Sequence, residues 1–165
     1  MKKLTFNIFC ILQIITTNLL FSQSQVVNGI EISTPDGFKK VSDLTWKKGE
    51  GEIIQVSATK LNYKFYDYMF WDNCKDTDNR QVIRGDDLTV NEVVHNVCYF
   101  LTENAALIAQ VYVIIDSHYY NINIGVDLTL FDESEWKTKP FERADSYAKY
   151  MIRRIKYNYN FTNLF

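Results

Sequence analysis

Apolar and polar residues alternate along 119–130 with a period of two. Tyr120, Ile122, Ile124, Val126, Leu128 and Leu130 fall on one side, and Tyr119, Asn121, Asn123, Gly125, Asp127 and Thr129 on the other. That pattern predicts a strand with one buried face. Further strands are predicted over 81–90, 93–102 and 106–116, separated only by Asn91-Glu92, Glu103-Asn104 and Ser117-His118. Connections this short join antiparallel neighbours, so the four form a meander. Residues 107–115 are apolar except for Gln110, which marks them as the expected central strand, covered on both faces. The period then changes: Phe141, Ala144, Tyr147, Ala148, Met151, Ile152 and Ile155 share one side of a helix whose first turn suits Pro140. Charged residues such as Glu142, Arg143, Asp145, Lys149 and Arg153 occupy its other side and need no function to explain them. Residues 157–165 are expected as a short tail.

The first half of the chain is less regular. A strand is predicted over 26–34, with Ile30 and Ile32 on one face, stopped by the turn-forming Thr34-Pro35-Asp36-Gly37. Residues 38–46 return as an irregular second strand. After the polar loop 47–51, Ile53, Ile54 and Val56 mark a third. Residues 61–74 read as a helix from Leu61, Phe65, Tyr68, Met69 and Asp72, although their many aromatics also suit a strand. The following stretch, 72–79, is strongly turn-forming. The fold class is therefore α+β: an antiparallel sheet of five to seven strands, ending in a meander and flanked by helices.

The extreme N-terminus does not belong to that pattern. Lys2 and Lys3 precede a mainly apolar run over 4–21, and Leu20 and Ser22 suit the −3 and −1 positions of a signal peptidase site. Residues 1–22 read as a secretory signal peptide, with cleavage after Ser24 as the second choice. Polar residues such as Asn7, Gln13 and Asn18 argue against a retained membrane anchor. The membrane is thus expected to be met only before cleavage, leaving residues 23–165 as one domain, periplasmic or secreted. Its 143 residues carry a formal charge of −4, against −2 for the whole chain. Such a balance offers no broad basic surface for nucleic acid.

Cys10 leaves with the signal, so Cys74 and Cys98 remain in a chain bound for an oxidising compartment. They either form one bridge or stay apart as buried thiols. Nothing places a His and an orienting Asn or Asp beside either of them, as a thiol nucleophile requires. His95 and His118 lack zinc-ligand spacing, and His95 falls in register with Val93 and Val97, where a hydrogen-bonded, partly buried ring is expected. His118 follows Asp116-Ser117, but neighbours in a tight turn cannot line up nucleophile, base and orienter. Asp76-Thr77-Asp78 lacks the Gly and distal Glu of a calcium loop. No phosphate or dinucleotide motif is present. No cofactor is expected.

What remains is aromatic content: 15% Phe, Trp and Tyr, including all eleven Tyr after the signal. If 61–74 is a helix, apolar residues surround it almost completely. Some of Tyr63, Tyr66, Phe70 and Trp71 should then form an exposed binding surface.

The order of elements, with Pro35-Asp36-Gly37-Phe38 as a Pro-x-Gly-aromatic turn after the first strand, resembles the PsbP-like fold, an α/β/α sandwich. That resemblance covers topology from about Gly29 to Tyr157 and transfers no functional residue. It implies a non-catalytic protein that binds or helps assemble others. The leading expectation is an exported binding or assembly module whose partner is another envelope or secreted protein, of no defined oligomeric state. The alternatives are an exported hydrolase with a dispersed site around His95 or His118, and a proteinaceous inhibitor of a secreted enzyme.

Overall fold

A computed structural model describes residues 25–27, 30–60, 67–115 and 118–162. The predicted signal peptide, Tyr63, Tyr66, Asp116 and Ser117 lie outside the described residues. The described chain runs β1 (Gln25–Val27), β2 (Ile30–Ile32), β3 (Lys39–Ser42), β4 (Thr45–Lys48), β5 (Glu52–Lys60), α1 (Asp67–Asn73), β6 (Arg80–Val90), β7 (Val93–Thr102), β8 (Ala106–Ile115), β9 (His118–Asp127) and α2 (Lys139–Thr162). Among these, seven strands form one antiparallel sheet in the order β3-β4-β5-β9-β8-β7-β6, and β1 pairs with β2 separately. The predicted α+β class and the meander are what the chain forms.

The alternation of β9 works as its sequence demands. Tyr120, Ile122, Ile124 and Val126 are buried on the sheet face covered by α2, together with Val97, Tyr99, Val111 and Val113. Ala144 and Ala148 let the helix lie close, and Met151, Ile152 and Ile155 fill the space along it. Burial of this face is the main stabilising contribution, roughly 25 cal/mol per Å² of apolar surface removed from water. α2 also meets β2, and Ile32 joins the same core.

Several expectations are corrected. Residues 26–34 are not one strand: β1 and β2 pair antiparallel with each other, Val27 opposite Ile30. Residues 38–46 divide into β3 and β4 around Asp43-Leu44, where Leu44 adopts φ 55°, a conformation its residue type does not advertise. The strand expected to reach Leu130 stops at Asp127. Its carboxylate accepts from the Thr129 N–H and hydroxyl at 2.8 and 2.7 Å and turns the chain into a 3₁₀ turn over Leu128–Leu130. The middle strand is β9, not β8, because β5 extends the sheet beyond it. The expected tail is instead the last part of α2, which continues to Thr162.

Candidate functional site

Among the described residues, the second sheet face carries the short α1. Phe70 is 2% exposed, packed with Cys98 and Phe100, and its ring stands edge-on to Trp71 at 4.8 Å and to Tyr112 at 5.1 Å. Of the predicted exposed surface, Phe70 is therefore a correction: it is buried as the anchor of α1. A seven-residue helix needs such an anchor, since two turns are not stable alone. Cys74, directly after α1, forms a disulfide with Cys98 on β7, with Cα atoms 5.8 Å apart.

Trp71 points sideways onto β6 and keeps 39% of its surface exposed. Its ring lies flat on Gly85, where a Cβ would stand only 2.3 Å from Trp71 Cζ3. The placement of Trp71 thus depends on a residue fourteen positions away. From Trp71 the aromatic contacts continue through Phe70 and Tyr112 to Tyr119, whose ring is 5.6 Å from that of Tyr112.

Beyond this row the sheet forks. Pairing of β7 with β8 ends at Val97↔Val111, although β7 begins at Val93 and β8 continues to Ile115. The fork opens a depression of ≈ 190 Å³ between Val93, Val94 and Asn96 on one side and Tyr112 and Ile114 on the other, with Phe70 contributed by α1. Val94 and Ile114 are 57% and 44% exposed. His95 and Lys156 complete it. Lys156 Nζ lies 3.1 Å from His95 Nε2, and since an ammonium only donates, Nε2 accepts and the ring proton sits on the other nitrogen.

Desolvation holds the His95 pKa below its usual value, the Lys156 charge adds to this, and a hydrogen bond to the Tyr112 backbone opposes it. The fold therefore favours the neutral ring. Its contribution to stability is complete above the unfolded value of about 6.5 and is lost as the pH falls through the lower folded value. Urea unfolding at pH 7.5 and 5.5 should show a loss at the lower pH that shrinks in His95→Gln; an unchanged loss would remove His95 as its source. The variant comparison is needed because burial raises the Asp145 pKa, and Asp145 acts in the opposite direction.

Two polar clusters that the sequence reading missed tie α2 to the sheet. Tyr99 donates to Asp145, with the Arg84 guanidinium 5.0 Å from the Tyr99 ring centroid. Burial and this bond push the Tyr99 phenol well above its usual range. Glu52 on β5, 5% exposed, accepts from Arg143 and Tyr147, both at 3.0 Å. Both clusters join helix to strand, whereas the fork gathers its residues around a surface opening.

Among the described residues no carboxylate joins His95 in that opening, and His118 begins β9, paired with Ile115 and Lys60. Asp76 Oδ1 accepts from the Val82 N–H, so this turn acid is committed to the backbone. Among the described residues, no group of three His, Cys, Asp or Glu could hold a metal ion, and no helix is long and apolar enough to cross a membrane.

No family model and no curated protein matches the chain. Among solved structures, the solution structure of cyanobacterial PsbP (CyanoP) from Synechocystis sp. PCC 6803 matches with a TM-score of 0.50 and 14% identity, covering 76% of this chain and 87% of that one. At that identity the likeness is one of fold: the chain has a PsbP-like α+β architecture.

Proposed function

We propose that this protein is a small exported, non-catalytic binding module that docks another envelope or secreted protein on the surface from Trp71 to the β7–β8 fork. One observation carries the reading: this surface leaves Trp71, Val93, Val94 and Ile114 substantially exposed around a depression in which no carboxylate is found among the described residues. A large aromatic on a fixed backbone beside exposed aliphatics is the composition of a protein contact. A hydrolytic opening would instead set a carboxylate and a nucleophile beside His95. Export is supported by the signal-like residues 1–22 and by the Cys74–Cys98 bridge, which persists in oxidising compartments.

The test uses a photo-crosslinking amino acid placed singly at Trp71, Val94 and Gln55 in cells that export the protein. Gln55 is exposed on β5 and serves as the control. A discrete adduct with the same partner should form from positions 71 and 94 and not from 55. Adducts spread equally over all three positions, or absent from 71 and 94, would overturn the reading.

A further inference from the structure

The β7–β8 fork is bridged by a side chain. Ladder pairing of the two strands ends at Val97↔Val111, and His95 sits two residues before Val97 on β7, its ring placed where the ladder is missing. Its Nε2 accepts from Lys156 Nζ at 3.1 Å, and its other ring nitrogen is hydrogen-bonded to the Tyr112 backbone. A neutral imidazole has one donor and one acceptor, so with Nε2 accepting, the remaining N–H donates to the Tyr112 carbonyl. One buried ring thus joins three elements: β7, which carries it, β8 and α2.

Only one protonation state fits these partners. An imidazolium has two donors and no acceptor, so on protonation the Tyr112 bond survives while Nε2–H faces an ammonium, donor against donor and charge against charge. Lys156 is the member free to move: it is half-buried, and among the described residues no carboxylate lies within ion-pair distance to hold it. The titratable or charged groups around the ring, among the described residues, are Lys156 from α2 and Tyr112 from β8, while β6 sets Leu88 opposite and α1 contributes Phe70. Burial raises the Tyr112 phenol above its ordinary value, so it stays neutral in acid and adds no charge. Burial first, and then the Lys156 charge, place the His95 transition below the ordinary value of 6.5.

We propose that His95 is a proton-operated latch on the surface from Trp71 to the fork: the neutral ring ties β7, β8 and α2 together, and the protonated ring expels Lys156, admits water to the depression and releases the partner. The proposal rests on the binding-module reading and names how that surface is regulated. The depression is walled by Val93, Val94 and Ile114, and an apolar contact made there is weakened once a hydrated charge replaces the bridged ring beneath it.

The experiment is an NMR titration of the protein purified from cells that export it, labelled in its Val and Ile methyl groups and His rings, from about pH 8 to about pH 4.5. The Val93, Val94 and Ile114 methyls should shift with the same midpoint as the His95 ring. These shifts should be lost in His95→Gln, whose amide offers Lys156 an acceptor and Tyr112 a donor but takes no proton. Lys156→Met should move the His95 midpoint upward, since it removes the neighbouring cation, and it remains informative if His95→Gln fails to fold. Methyls that ignore pH, follow another midpoint or titrate equally in His95→Gln would overturn the latch, as would a His95 midpoint unmoved by Lys156→Met. Photo-crosslinking from Val94 above and below the midpoint reads the consequence: the adduct should fall several-fold in acid for the wild type and persist in His95→Gln, and a yield indifferent to pH would overturn the release. If the methyls follow His95 while no adduct forms at any pH, the binding-module reading falls and the latch stands; if adducts form while the methyls ignore pH, only the latch falls.

Discussion

Replacing both bridged cysteines, as Cys74→Ala with Cys98→Ala, is expected to lower the unfolding free energy by roughly 3.5 kcal/mol, the chain-entropy cost of releasing a loop of about 25 residues. Alanine is the informative substitution because Cys98 is fully buried beside Phe70 and Phe100, where a serine hydroxyl would need a partner. The bridge also has a local task. Without it, α1 is held largely by the insertion of Phe70, and its seven residues do not stabilise themselves. Trp71 should then lift from Gly85, which shifts its emission to longer wavelength before the sheet unfolds. Chemical denaturation gives the global term, and the emission difference between the Cys-free protein and the same protein carrying Trp71→Phe isolates the local one. A loss below about 1 kcal/mol, with Trp71 emission unchanged, would show that packing alone holds α1 in place.

The strands of the meander were legible because each one's pattern is complete within itself. The predicted bounds of β7 coincide with those observed, and the buried face of β9 is named correctly from Tyr120 to Val126. Errors occurred where a contact outside the pattern decides. Asp127 ends β9 through its own carboxylate, and the polar and apolar alternation runs on past it without notice. Sheet order was misread because residues 107–115 are almost wholly apolar, a sign of burial that does not say which neighbour lies where. On the second face, among the described residues, α1 covers part of β8 through Phe70, and Ile114 stays exposed.

The candidate site was less legible for the same reason. Periodicity could show that 61–74 holds more apolar residues than one face can bury, but it could not choose between Phe70 and Trp71. That choice is made by Cys98 and Phe100 on β7, which receive Phe70, and by Gly85 on β6, which receives Trp71. The fork is a property of register: nothing in Val93-Val94-His95-Asn96 announces that pairing with β8 stops short of it. His95, expected to be hydrogen-bonded and partly buried, is hydrogen-bonded and buried, while its partner Lys156, sixty-one residues away, carries no local signal.

Glu52 shows the same limit and leads to a prediction in which the sign of the asymmetry matters. On sequence it is the polar start of a strand; in the fold its carboxylate is buried while both cations around it, Lys48 and Arg143, are 44% exposed. Arg143 Nη1 and the Tyr147 hydroxyl donate to Oε1, Lys48 Nζ stands 3.7 Å from Oε2, and Lys48 also donates to Tyr147 at 3.0 Å. Arg143→Met should therefore cost about 2 kcal/mol, because it leaves a buried carboxylate with fewer donors. The remaining Lys48 and the half-exposed setting keep the cost below that of a fully enclosed pair. Glu52→Gln removes the charge that burial penalises, retains an acceptor for Tyr147, and frees two cations that water can solvate, so it should cost less than about 1 kcal/mol. Once Glu52 is neutral, Arg143→Met has little left to harm, and the double variant should be more stable than the sum of the two single losses allows. Urea unfolding of the four proteins measures all of this; additive losses, or a Glu52→Gln loss as large as that of Arg143→Met, would mean that the guanidinium stabilises α2 through its packing over the Phe131 ring, 4.9 Å away, and not through the buried charge.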